Sequence, residues 1–235
     1  MNPNSDKLTI HHCRRRGFTL LELLTVVAVI GILSSITMPV ARSVYIKAKK
    51  AKTRAQFSQW GAAMELYNAE YGNFPPIDGN YSGGGSANVN MVNSEKFSVA
   101  LTGRKLDGTD ADLRVSSATN EKKVGNTKLI SFYTIAEGEL TAADSSNRKL
   151  HDYFGNTEIA VLYDKNGDGI INNTDVRQVP AVSTADLGSK YEPDTNVDIP
   201  LSKGGLHVPV AFYSAGNGDA SGGKIEVEDA VLSWK

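Results

Sequence analysis

The 235-residue sequence contains a single cysteine, Cys13, so no intrachain disulfide is possible. It has no surplus of basic charge: 25 Lys and Arg stand against 26 Asp and Glu, a net charge of -1, which argues against a nucleic-acid binder. It has neither a phosphate-binding glycine loop nor a HExxH pair, and only four histidines. His151 and His207 are far apart and near no recognisable nucleophile, and the acidic residues lie in polar loops without the apolar surroundings that tune a general acid. Catalysis is therefore not expected. Charge is also scarce from Phe18 to Ala41, where Glu22 is the only ionisable residue.

That run, "FTLLELLTVVAVIGILSSITMPVA", is long enough to cross a hydrocarbon core as a helix, which takes about 20 residues. A cleaved signal peptide fits poorly, because the run is too long and no small-x-small cut site follows it. From Ser43 to Tyr71 the pattern becomes amphipathic. Val44, Ala48, Ala51, Ala55, Ser58, Ala62 and Leu66 form one stripe, and Trp60, Met64, Tyr67 and Tyr71 form a second. Gly72, Pro75 and Pro76 then stop the pattern. One helix from Phe18 to about Tyr71 is expected, with a kink or local melting at Pro39. Four basic residues precede the apolar run (Lys7, Arg14, Arg15, Arg16), and six follow it closely (Arg42, Lys47, Lys49, Lys50, Lys52, Arg54).

Beyond Pro76 the sequence turns to short elements. A helix is expected over Ser94–Gly103, and β-prone runs over Leu129–Ala136, Thr157–Asp164, Leu206–Ala215 and Val227–Trp234. Strands without long intervening helices point to an antiparallel sheet, and with the long helix to an α+β fold.

"DKNGDGIINNTD" has the ligand spacing of an EF-hand loop. Asp164, Asn166, Asp168, Asn172 and Asp175 supply side-chain oxygens, Ile170 a backbone carbonyl, and Gly169 the sharp turn. Aspartate replaces the usual closing glutamate. The loop resembles one dockerin calcium repeat and points to Ca2+ ahead of a plain polar turn. A second loop, Gly216–Asp229, is weaker on spacing. Asp219 and Asp229 are candidate ligands there, with Glu228 as a rival, and a glycine-rich hairpin loop is an equal alternative.

"RRRGFTLLELL" (Arg14–Leu24), Pro39 and the amphipathic continuation resemble the N-terminus of type IV pilin-like prepilins. "YNAEYGNFPP", "DYFGN" and the C-terminal Asp/Gly-rich segment are similar to the major pseudopilins of type II secretion systems. The resemblance implies a pilin-like ladle, a long N-terminal helix packed on a small antiparallel β-sheet head. Its parts would be a leader at 1–17, a transmembrane half-helix at 18–41, an amphipathic half-helix at 42–72 and a head at 73–235. It implies cleavage between Gly17 and Phe18 by prepilin peptidase, methylation of Phe18, and an assembly role for Glu22. The mature chain would carry a net charge of -4. It also implies a structural calcium near the C-terminal loop, an inner-membrane location with the N-terminus cytoplasmic, and a homo-oligomeric filament. Minor pseudopilins and an inner-membrane assembly platform would be the partners, with no nucleic acid expected. A membrane-anchored, calcium-dependent binding module for surface glycans or proteins is the alternative reading.

Overall fold

The structure is a computed structural model that describes residues 17–79, 90–92, 94–109, 126–141, 148–176, 179–185, 188–218 and 223–235, without the side chains of 36–40. The expected leader up to Arg16, and Asp219, lie outside the described residues. The chain divides into two compact units, Met1–Tyr45 and Ile46–Lys235.

Helix α1, Leu20–Tyr71, begins two residues later than expected and ends where expected. Gly72, at φ +75°, closes it with an N–H donated to the Asn68 carbonyl (2.8 Å). This is the left-handed cap that glycine supplies without a Cβ penalty. The helical backbone continues through position 39, so the expected local melting does not occur there. A proline removes only one ladder hydrogen bond, and the turns on either side carry the helix across it.

In the first unit, Leu20, Leu21, Leu23, Leu24, Val26, Val27, Val29, Ile30, Ile32 and Leu33 are all 49–83% exposed. Their side chains leave the axis in every direction, so the apolar surface surrounds the helix. Among the described residues no helix is long and apolar enough to cross a membrane.

In the second unit α1 is one wall of a core. Phe57, Trp60, Ala63, Met64 and Tyr67 recur at helical spacing and are at most 2% exposed. They face a five-stranded, fully antiparallel sheet with strand order β1-β2-β3-β6-β7. Its strands are β1 Asp78–Gly79, β2 Met91–Val92, β3 Ile159–Tyr163, β6 Val210–Ser214 and β7 Val231–Leu232. A separate pair joins β4 Val182–Ser183 to β5 Lys190–Tyr191. The central register pairs Ile159 with Ser214 and Tyr163 with Val210.

Side chains alternate across the sheet. Ile159, Val161, Tyr163, Phe212 and Val231 point to the helix side. Phe212 meets Phe57 at 5.7 Å and Trp60 at 5.6 Å, and Trp60 meets Phe97 at 4.7 Å between ring centroids. Ala160, Leu162, Ala211, Tyr213 and Leu232 point to a second core with Ile171, Val176, Tyr191 and Ile199. Both faces are covered, which explains why "IAVLY" reads as a continuous apolar run. Each large side chain so buried contributes about 1.5–3 kcal/mol.

Helix α2, Ser94–Thr102, lies where the sequence placed it. Three expected strands differ. Leu129–Ala136 forms no strand, because Phe132 and Tyr133 both donate their N–H groups to the Leu101 carbonyl at the end of α2 (2.8 and 2.9 Å). Ile130 donates instead to Asn126 Oδ1. Backbone groups occupied in capping a helix are not free for a ladder. In Leu206–Ala215 only β6 is strand, with Leu206 bridging Ile171 alone. In Val227–Trp234 only β7 pairs, because Asp229 and Ala230 turn back onto the Glu226 carbonyl.

Candidate functional site

At the start of α1, Gly17, Phe18 and Thr19 are exposed and precede the helix. Thr19 N–H and Thr19 Oγ1 both donate to Glu22 Oε2 at 2.9 Å, and Glu22 N–H returns a bond to Thr19 Oγ1 at 3.2 Å. This is a capping box: threonine at the N-cap, glutamate three residues on, each satisfying the other's orphan donor. The Gly17–Phe18 bond thus lies just outside a defined helix start. Thr19 is the functional neighbour that the sequence reading missed. Its signal was present as T-x-x-E immediately before an apolar run.

The acidic loop follows directly from β3, which carries Asp164 at its end. Asp164 and Asp175 are buried, Asn166 and Asp168 are exposed, and Ile170 and Asn172 are half-buried. Asp164 accepts N–H groups from Gly167 (2.7 Å) and Gly169 (2.6 Å). Asp175 accepts from Lys165 (2.9 Å), Asn166 (3.2 Å) and Asn172 (3.0 Å). Asn166 Oδ1 accepts from Asp168 N–H, and Asp168 Oδ1 from Ile170 N–H. Gly167 and Gly169 take φ of +77° and +86°, which lets the chain wrap inward.

The far side of the loop is fixed by packing. Ile171 exchanges two backbone hydrogen bonds with Leu206, each at 2.9 Å. Gly205, at φ +74°, lies so close that a Cβ there would meet Ile170 Cγ2 at 2.4 Å and the Ile171 carbonyl at 2.6 Å. The structure therefore brings the six expected ligand positions onto one closed loop. Its oxygens are the hard donors calcium takes, and a carboxylate oxygen holding one N–H keeps a further lone pair. Among the described residues no three Asp, Glu, His or Cys side chains converge as a metal cluster. The loop is ordered by these backbone N–H groups and by side-chain bonds from Asn166 Nδ2 to Asp168 Oδ2 (3.0 Å) and from Thr174 Oγ1 to Asn172 Oδ1 (2.7 Å).

The C-terminal loop is different. Asp229 is exposed, and its carbonyl accepts from Asn217 N–H (3.3 Å). Lys50 of α1 donates to the neighbouring Glu228 carbonyl. The described part of this loop is thus engaged with α1.

A third polar cluster was not anticipated. Asp152 is fully buried and accepts from Phe154 N–H (2.8 Å), Asn156 N–H (2.9 Å), Asn156 Nδ2 (3.0 Å) and Ser214 Oγ (2.7 Å). Asn156 reaches onward to the Gly216 carbonyl and accepts from Ala185 N–H. Burial pushes the Asp152 carboxyl above its usual range, and the Ser214 and Asn156 donors partly oppose that. This cluster ties the turn after Leu150 to β6 and the C-terminal loop, and its role is structural.

A long N-terminal helix, a short non-helical junction before its capped start and an antiparallel sheet behind its second half define the pilin-like class. Residues 12–38 match the family model of the prokaryotic N-terminal methylation motif. The chain is similar to prepilin peptidase-dependent protein D of Escherichia coli (strain K12), 33% identical over 96 residues, covering 39% of this chain and 66% of that protein. It is also similar to type II secretion system core protein G of Pectobacterium carotovorum subsp. carotovorum, 31% identical over 65 residues, covering 28% and 42%. The matched segments thus span just under two thirds of the first relative and less than half of the second. No solved structure matches the chain significantly. By motif and fold the chain is similar to the type IV pilin-like prepilins.

Proposed function

We propose that the chain is a structural subunit of a type II secretion pseudopilus or a type IV pilus-like filament. It is made as a precursor, cut between Gly17 and Phe18 by prepilin peptidase and methylated on Phe18. Residues 18–41 hold it in the inner membrane as a single span, with the head on the periplasmic side, until it enters the filament. Its partners are further copies, minor subunits and an inner-membrane assembly platform. The observation that carries this reading is the helix of Leu20–Leu33, apolar and exposed on all sides, which needs lipid or other helices around it. Small residues within it (Ala28, Gly31, Ser34, Ser35) permit close helix contact. The names of both relatives are consistent with such a subunit.

Glu22 gives the test. Its carboxylate caps α1 through Thr19, yet it also stands one turn from the amine that cleavage would create on Phe18. Glutamine keeps a capping box and removes the charge, whereas leucine removes both. Membrane insertion should survive in Glu22→Gln and Glu22→Leu, and filament formation should fail in both. Normal filaments from Glu22→Gln would reduce Glu22 to a cap and overturn the charge role. Failure of the wild-type precursor to be cut after Gly17 by a prepilin peptidase would overturn the reading as a whole.

We also propose that the loop Asp164–Asp175 holds calcium through Asp164, Asn166, Asp168, Asn172, Asp175 and the Ile170 carbonyl. Bound there, the ion would offset three carboxylates and staple a head that has no disulfide. Asp229 and the undescribed Asp219 remain candidates for a second ion.

A further inference from the structure

The six basic residues after the apolar run are not absorbed by processing or by assembly through Glu22. No acidic residue occurs between Glu22 and Glu65, and Arg42, Lys47, Lys49, Lys50, Lys52 and Arg54 all fall in that gap. The rest of the chain, residues 55–235, carries 15 Lys and Arg against 24 Asp and Glu. The basic segment is thus a local reversal of charge.

Its geometry is a collar. At about 100° per residue, Lys47, Lys49, Lys50, Lys52 and Arg54 point to roughly 0°, 200°, 300°, 140° and 340° around α1. The face buried in the head is that of Thr53, Gln56, Phe57 and Trp60. Lys47, Lys52 and Arg54 lie outside it and are exposed, while Lys50 lies at its edge and Lys49 on the same side as it, both half-buried. Lys49 Nζ lies 5.5 Å from the Phe154 ring centroid, and Lys52 Nζ lies 5.7 Å from that of Tyr153. The turn carrying these rings is pinned to α1 by Tyr153 N–H donating to Thr53 Oγ1 (3.2 Å). Tyr153 itself is 38% exposed beside the lysines. Lysines with an exposed tyrosine are the side chains that favour the polar layer of a membrane. Lys47 to Arg54 rises about 10 Å along the axis, comparable with one headgroup layer.

We propose that this collar binds anionic phospholipid headgroups and sets the depth of the head at the membrane surface. The inference rests on the membrane-anchored reading above. A surrounding ring of cations suits a headgroup layer, which meets the helix from every open side. One neighbouring protein would need one stripe.

The test uses the full chain reconstituted in phosphatidylcholine vesicles with trace nitroxide-labelled phosphatidylglycerol or phosphatidylcholine. Electron spin resonance reads how much labelled lipid the protein holds. Phosphatidylglycerol should be preferred, by roughly fivefold per cation engaged, and the preference should shrink in 0.5 M salt. Lys47→Gln/Lys52→Gln/Arg54→Gln should abolish it without changing the melting temperature of the head, and Lys47→Arg/Lys52→Arg should retain it. Flotation after carbonate washing checks the anchor separately. If the chain floats but holds both lipids alike, the collar proposal is overturned and the anchored reading stands. If it does not float, the anchored reading fails and the collar with it. If lipid preference is absent and the glutamine variant loses cross-linking between copies, the cations serve a neighbouring subunit's acids, and the proposal is overturned.

Discussion

Ser214 Oγ donates to Asp152 Oδ2 over 2.7 Å, joining the end of β6 to a turn 62 residues earlier in the chain. Three further donors, from Phe154 and Asn156, converge on the same carboxyl, and nothing of it is exposed. Asp152→Ala removes the acceptor of four hydrogen bonds, three of them buried. It should lower stability by about 3 kcal/mol or more, and the melting temperature by about 6–12 °C. Thermal denaturation of the two proteins side by side is the check, and a change below about 1 kcal/mol would show that the network relaxes or takes up water.

Glu139 provides the pH-dependent prediction. It is buried, Tyr133 donates to its Oε1 at 2.6 Å, and its Oε2 has no hydrogen-bond partner. Trp60 Nε1 lies near enough to favour the anion but outside hydrogen-bond geometry. Burial dominates and raises the carboxyl above its usual range. A carboxyl raised on folding contributes stability below its unfolded value, and that contribution is lost as pH rises through the folded value. Asp152 acts in the same direction. Glu139→Gln should therefore flatten the stability profile between about pH 4 and neutrality, and should equal or exceed wild type at pH 7.5. Denaturant melts at several pH values would show it, and a wild type that gains over the variant as pH rises would contradict it.

Calcium should raise the melting temperature of the full chain relative to chelator. At a hundredfold excess over Kd the gain is about 2.7 kcal/mol, or about 5–10 °C for a head of this size. Asp168 is exposed, so Asp168→Ala should reduce the calcium increment while leaving the melt in chelator within about 0.5 kcal/mol. Asp164 is buried and accepts two loop N–H groups, so Asp164→Ala should lower the melt in both conditions. An identical wild-type melt with calcium and with chelator would remove the ion from the head.

Gly216 has φ +63°, and a Cβ there would stand 2.2 Å from the Asp229 carbonyl. Backbone cannot swing aside as a side chain can, so Gly216→Ala should cost about 2–4 kcal/mol. Gly155, also at positive φ but with nothing within 4 Å, should cost less when replaced. The difference between the two melts isolates the close approach from the left-handed backbone alone.

The long helix and its stop were legible because their signals are local: periodicity, then Gly72 and two prolines. The β3 and β6 segments were legible because burial on both faces leaves an uninterrupted apolar run. Leu129–Ala136 misled because its strand-like residues owe their conformation to the distant carbonyl of Leu101. In the candidate sites, ligand spacing could be read along the chain. The backing of the acidic loop by Gly205 and Leu206 could not, nor could the convergence of Ser214 on Asp152, since both join residues more than thirty positions apart. Glu22 was noticed for its charge, while its partner Thr19 was three residues away and went unread.

One outermost strand of the described sheet, β7, is two residues long. Long unpaired edges recruit strands from other molecules, and short ones do not. A subunit of the filament proposed above would face that hazard continuously. With so little open ladder on the described head, runaway strand exchange is discouraged. In the filament proposed above, association would be left to the helical surface.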